Sequence, residues 1–293
     1  MLGISNGMIY QNNPLQDPPG SIEFDGTNDY MTFHEGVIDS TTGLGGTSGN
    51  SPKSFQFWMR PDDNHTSSTT MQRVIAFNAD TTDRYWGISL GPTSGNVDDE
   101  VLCVSPSGSN RSASQTNLSA NTWYHIVLVW DGTSYYKIYI NGVDDTDFIY
   151  DESNPTQGGS DENGEDYDIT TGWSGFEVGR GYAGSSGSYK YFDGRITEIA
   201  SWNVSLPANA VSSLYNNGTP VNVQYPCNNY TQTGNVNIYF NCHDNSSSSS
   251  DTATAEYATY NPNNIDASNG SFGTLKNGAA RLTSTTTSYY PPQ

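Results

Sequence analysis

Residues 121–142, NTWYHIVLVWDGTSYYKIYING, decide the fold. Residues 123–130 are almost entirely β-branched and aromatic, with apolar side chains on both alternation sets, which is the pattern of a strand buried on both faces. Asp131-Gly132-Thr133-Ser134 reads as a four-residue loop. Residues 135–140 then return with clean alternation: Tyr136, Ile138 and Ile140 on one side, Tyr135, Lys137 and Tyr139 on the other. Asn141-Gly142 supplies the positive-φ turn residues that end the hairpin. The expectation is an antiparallel sheet with one packed face at the centre of the protein.

Working outward, residues 21–33 (SIEFDGTNDYMTF) read as strand, turn, strand, with Asp25-Gly26 and Asn28-Asp29 in the turn. Residues 54–60 (SFQFWMR) form a strand closed by Pro61, which cannot donate to a ladder. Residues 73–78, 85–90 and 101–104 are three further short strands, and residues 176–179 and 189–203 return to strand patterning. Residues 206–216 (LPANAVSSLYN) are the one credible helix: Leu206, Ala210 and Leu214 recur at i, i+4 and i+8, Pro207 suits the first turn, and Asn217-Gly218 stops it. Short strands separated by polar turns predict an all-β, antiparallel β-sandwich or jelly roll with one short helix. Residues 1–20 read as an N-terminal arm and residues 21–222 as the main domain. Residues 223–293 read as a loop-rich, Asn/Ser/Thr-rich C-terminal extension, packing on the domain or on a neighbouring subunit. Within it only residues 236–240, 264–266 and 272–275 are expected to form ordered β-structure.

The chain carries 31 acidic against 11 basic residues, a formal charge of −20. Nucleic-acid binding needs a basic footprint, and none is present; anionic membranes are disfavoured for the same reason. No stretch approaches the length of a membrane span. Residues 1–20 have neither a basic region nor a sustained apolar core, so no signal peptide is expected. A surface-like composition without an export signal fits a processed fragment or a protein released by lysis, as virion components are. Ten of the acidic residues fall between Asp144 and Asp168 with no Lys or Arg among them. That segment reads as a solvated loop, with an ordered cation site as the alternative, although it lacks the Gly and Glu spacing of an EF-hand loop. Of three cysteines, Cys103 reads as a buried strand residue, while Cys227 and Cys242 are close enough in sequence for a disulfide.

The order of these motifs resembles a laminin-G-like domain of the concanavalin A-like lectin/glucanase superfamily. The matching pieces are SIEFDGTNDYMTF, SFQFWMRP, NTWYHIVLVWDGTSYYKIYINGV, FEVGRG and YFDGRITEIASWNVSLPANAVSSLYNNGTP. The resemblance implies two packed antiparallel sheets. The run IDASNGSFGTLKNG near the C-terminus resembles a phrase found beside such domains, and the layout resembles virion structural proteins of marine tailed bacteriophages. That resemblance implies a non-enzymatic protein on the virion surface, in a capsid decoration or a tail or fibre, oligomeric, and in contact with other virion proteins and with cell-surface glycans. The alternatives are a purely structural virion protein, and a secreted carbohydrate-binding module or polysaccharide-acting enzyme.

Three chemistries follow from these readings. Glycosidases of this superfamily carry Glu-x-Asp-x-(x-)Glu on one strand, and no strand here has it, so no enzyme is expected. His125 reads as a hydrogen-bonded core histidine rather than a catalytic one. Calcium is the candidate cofactor, as the superfamily implies, with Asp25, Asp29, Asp193 and Glu198 as candidate ligands if the first and last strands pair. The alternative is that Asp25-Gly26 and Asp193-Gly194 are turns whose carboxylates bond their own backbone. Sugar binding needs exposed aromatic faces beside hydrogen-bonding groups. Trp58, Trp123 and Trp130 sit in core strands, and Trp86 and Trp202 are ambiguous. Trp173, Tyr182, Tyr189 and Tyr191, in or beside Gly-rich loops, are the candidate carbohydrate platform.

Overall fold

Alternating apolar residues draw the chain into two facing antiparallel sheets. The computed structural model describes residues 21–33, 53–62, 72–79, 85–90, 102–105, 111–130, 136–150, 173–183, 188–240, 273–276 and 280–282. The first sheet contains, in spatial order, β10 (Val143–Asp144), β9 (Tyr136–Ile140), β8 (Tyr124–Trp130), β3 (Lys53–Pro61), β15 (Asp193–Trp202), β1 (Ser21–Asp25) and β18 (Ala280–Leu282), with β16 (Val236–Phe240) also pairing with β15. The second contains β11 (Thr146–Tyr150), β7 (Arg111–Ser114), β6 (Leu102–Ser105), β5 (Tyr85–Leu90), β4 (Gln72–Ala79), β12 (Trp173–Val178), β2 (Tyr30–Phe33) and β17 (Gly273–Lys276). A separate hairpin, β13 (Arg180–Ala183) and β14 (Ser188–Tyr191), lies against β4. This is the expected jelly-roll sandwich.

Strand β8 is buried along its whole length because it serves two cores. Ile126, Leu128 and Trp130 point between the sheets, into a cluster with Met31, Phe57, Ile75, Ile88, Ile138 and Val178. Val127 and Val129 point the other way, into a second cluster with Tyr139, Ala200 and Trp202. That cluster is closed by the helix α1 (Ala208–Tyr215), through Ala210, Val211 and Leu214, and by Leu206, Val223 and Tyr230. The first sheet is therefore packed on both faces here, not on one. An eight-residue helix is too short to stand alone in water; its apolar stripe holds it on the sheet. Pro207 precedes it in an extended conformation, and Asn216 and Asn217 in left-handed conformations stop it, followed by Gly218 at φ 88°.

The segment from residue 223 onward takes part in both sheets. β16 extends β15, β17 pairs with β2, and β18 pairs with β1. The expected strand at 264–266, the arm at 1–20 and residues 151–172 of the acidic run lie outside the described residues. The start of the acidic run is structured. β10 belongs to one sheet and β11 to the other, so the chain crosses the sandwich at Asp145. The Asp145 carboxylate accepts hydrogen bonds from the backbone N–H groups of Gln115 and Thr116 at 3.1 and 2.9 Å and from the Thr116 hydroxyl at 2.8 Å. This carboxylate tethers the crossover to the loop after β7. Among the described residues no helix is long and apolar enough to cross a membrane.

Candidate functional site

With α1 and the chain after it covering the outer face of the first sheet, the hairpin β13–β14 marks the corresponding region of the second. Gly181 faces β4 so closely that a Cβ there would stand 2.7 Å from Cβ of Ala76 and 3.1 Å from Cβ of Arg73. Glycine thus lets the hairpin dock. Arg180 is opposite Tyr191 in the ladder, and Tyr189 is two residues from Tyr191. The pleat therefore sends these three side chains out on the face away from Gly181.

The guanidinium of Arg180 is the hub of this surface. Its carbon lies 3.2 Å from the ring centroid of Tyr30 and 4.2 Å from that of Tyr189, well within cation–π range. Its Nε and Nη2 donate to the two carboxylate oxygens of Glu177 at 2.9 and 2.6 Å. Tyr189 and Tyr191 are neighbours, with ring centroids 6.5 Å apart. Burial works against the Arg180 charge, but the hydrogen bonds and charge of Glu177 outweigh it and hold the pKa above the ordinary value. Burial, then the Glu177 carboxylate, pushes the Tyr189 hydroxyl up, so it remains a neutral donor. Tyr189 is nevertheless 41% exposed, one of three large apolar or aromatic residues so exposed among the described ones. The result is a fixed aromatic surface with hydrogen-bonding groups at its edge.

Of the candidate platform residues, the structure brings Tyr189 and Tyr191 together. Tyr182 is paired with Tyr189 in the ladder and Trp173 opens β12, but their side chains lie outside what is described. Tyr30, Glu177 and Arg180 were not anticipated. Arg180 had a usable signal: a rare cation in an acidic chain, within the glycine-flanked phrase FEVGRG.

The four candidate calcium ligands do not form one site. Asp25 and Asp193 are directly opposite in the β1–β15 ladder. The Asp25 carboxylate accepts the N–H groups of Thr27 and Asn28 at 2.8 and 3.2 Å, as an ordinary turn residue does. Asp29 is buried, and one of its oxygens accepts the Asp25 N–H at 3.2 Å. Glu198 is five residues along β15, about 16 Å at the usual strand rise. It occupies a bulge with φ 53°, where β15 gains a residue over β3, and it accepts the Tyr239 hydroxyl at 2.6 Å. The bulge turns it toward Tyr239 of β16. Among the described residues no three His, Cys, Asp or Glu side chains are gathered as a metal would need.

His125 is fully buried, stacked near Trp58 and Tyr215, with Nε2 3.2 Å from Gln56 Oε1. Burial drives its pKa down to about 3, so it is a neutral packing residue. Trp58, Trp123, Trp130 and Trp202 are likewise buried. Cys227 carries a free, half-buried thiol whose pKa is raised by burial; Cys242 lies outside the described residues.

The laminin G-type model Laminin_G_3, of the concanavalin A-like lectin/glucanases superfamily, matches residues 25–212, well over half of the chain. The chain belongs to this superfamily. Its fold also resembles that of a candidate carbohydrate-binding protein from Bacteroides ovatus, at 19% identity and a TM-score of 0.54. That match covers 92% of the chain and only 61% of the Bacteroides protein. A heptameric pentraxin of Limulus polyphemus matches at 15% identity and a TM-score of 0.43, covering 68% of the chain and 82% of the pentraxin. A Ruminococcus gnavus sialidase module, CBM40, solved with α2,3-sialyllactose, matches at 11% identity and a TM-score of 0.41, covering 67% of the chain and 97% of the module. At these identities the likenesses concern the fold alone. No curated protein matches the sequence.

Proposed function

We propose that this lectin-like domain is a non-catalytic glycan-binding module, and that its sugar-contacting surface is Tyr189, Tyr191 and Tyr30 around Arg180. The observation that carries this reading is an exposed tyrosine held rigidly on an arginine that is itself fixed by a buried carboxylate. Aromatic faces pack against the C–H face of a sugar, and adjacent hydroxyl and N–H groups orient it. Pre-ordering those side chains lowers the entropic cost of binding. Superfamily membership supports the reading without naming a ligand, since the superfamily joins lectins and glucanases.

The experiment is a glycan array followed by calorimetry, with Tyr189→Ala and Tyr191→Ala alongside the native protein. Selective binding that weakens about tenfold or more in Tyr189→Ala is the expected result. Absence of binding to any glycan would sink the reading, and release of reducing sugar from a polysaccharide would overturn its non-catalytic part. The setting we propose is a virion surface, with the module on an oligomeric decoration or tail protein. It rests on the layout of motifs in the sequence, and antibody labelling of intact particles tests it.

A further inference from the structure

Resting on the glycan-binding reading above, we propose that the platform selects neutral saccharides and that Glu177 is the residue that enforces this choice. An arginine on an aromatic surface ordinarily captures carboxylates through its planar fork of N–H donors. Here one edge of that fork is occupied and its faces are covered. The Nε–Nη2 edge of Arg180 is filled by Glu177 at 2.9 and 2.6 Å, and the Tyr30 and Tyr189 rings pack against the guanidinium.

The charge is thus cancelled inside the protein. A ligand carboxylate would have to displace Glu177 or sit beside it, with two anions sharing one cation. The Glu177 side chain is only 10% exposed, so salt screens its charge poorly. Lys190 is the other cation of the hairpin, but alternation places it with Gly181 on the face opposite the tyrosines. Beyond the platform, a net charge of −20 repels any polyanion. What the surface does offer, tyrosine rings with neutral hydroxyls, suits hexoses and N-acetylhexosamines.

The test uses the full chain on a size-matched panel of neutral, carboxylated and sulfated oligosaccharides at low and high salt, with Glu177→Gln and Tyr189→Ala. The native protein is expected to hold neutral members about tenfold tighter than carboxylated ones, with neutral affinity insensitive to salt. Glu177→Gln leaves Arg180 uncompensated and is expected to raise the ratio of carboxylated to neutral affinity about tenfold, with any loosening of Arg180 weakening both classes alike. Tyr189→Ala is expected to weaken both. Preference of the native protein for carboxylated or sulfated glycans overturns the selectivity while leaving glycan binding intact. So does an unchanged neutral-to-anionic ratio in a folded Glu177→Gln. Should that variant not fold, the native panel and its salt dependence decide alone. No binding by the native protein, or binding indifferent to Tyr189→Ala, instead overturns the platform itself, and this inference with it.

Discussion

The indole Nε1 of Trp202 donates a 3.0 Å hydrogen bond to the Tyr230 hydroxyl, which in turn donates to the Val223 carbonyl at 2.6 Å. All three residues are buried, and burial pushes the Tyr230 hydroxyl pKa up, so the relay stays protonated. It ties the end of β15 to the chain beyond residue 222. Tyr230→Phe keeps the ring but strands one donor and one acceptor in an apolar cluster. A loss of about 2 kcal/mol is expected in urea unfolding, with an unchanged far-UV spectrum. A loss below a few tenths would mean that water reaches this cluster.

Gly181→Ala tests whether the hairpin positions the platform. The new methyl group would press on Ala76 and the stem of Arg73, in strand β4. Overpacking of this kind costs about 1–3 kcal/mol. The hairpin can relieve it by lifting, which would carry Arg180 away from Tyr30 and Glu177. Glycan affinity is therefore expected to fall about tenfold or more although no platform residue is changed. Gly179→Ala is expected to be worse for folding. Gly179 has φ 85°, and a Cβ there would overlap the Phe24 ring in the core. A soluble Gly181→Ala with native affinity would show that the platform does not depend on hairpin docking.

The scaffold was legible because its signals are local. Continuous β-branched and aromatic residues marked β8, and the i, i+4, i+8 stripe marked α1. The second core is half-visible in the sequence: Val127 and Val129 read as buried, but nothing near them shows that the helix and residues 219–236 cover them. Partner choice among strands is not local, so the placement of β17 beside β2 could not be read from composition. The same holds for the platform. Tyr189 and Tyr191 were found from their glycine-rich surroundings, whereas Glu177, Arg180 and Tyr30 meet only once β12, β2 and the hairpin are assembled. Glu198 stands apart from Asp193, and the bulge that sets its direction is invisible in the sequence.

Calcium removal separates the platform from the metal reading. The groups on the platform are tyrosines, an arginine and one carboxylate already bound to that arginine, a set without the oxygen cage calcium requires. Glycan affinity measured after dialysis against EDTA is expected to equal that in millimolar calcium. A drop of about tenfold on chelation would show that a metal shapes the binding surface.

Two of the buried titratable groups, His125 and Asp29, push stability in opposite directions with pH. His125 has a folded pKa near 3 because burial disfavours its charged form, against 6.5 when unfolded. Below pH 6.5 the unfolded chain binds the extra proton, so stability is full above 6.5 and is lost progressively down to about 3. The slope reaches about 1.4 kcal/mol per pH unit at most. Asp29 behaves the other way. Burial, and then the nearby Asp25 charge, raises its pKa above 3.8, so its contribution is greatest below 3.8 and is lost as pH rises through the raised value. His125→Phe, which preserves the stack on Trp58 and Tyr215, is expected to flatten the acid limb relative to the native protein. Asp29→Asn is expected to gain stability over the native protein at pH 7 but not at pH 3. Urea titrations from pH 3 to 8 read both at once. Curves for the two variants that run parallel to the native one would mean that neither residue keeps its buried position in solution.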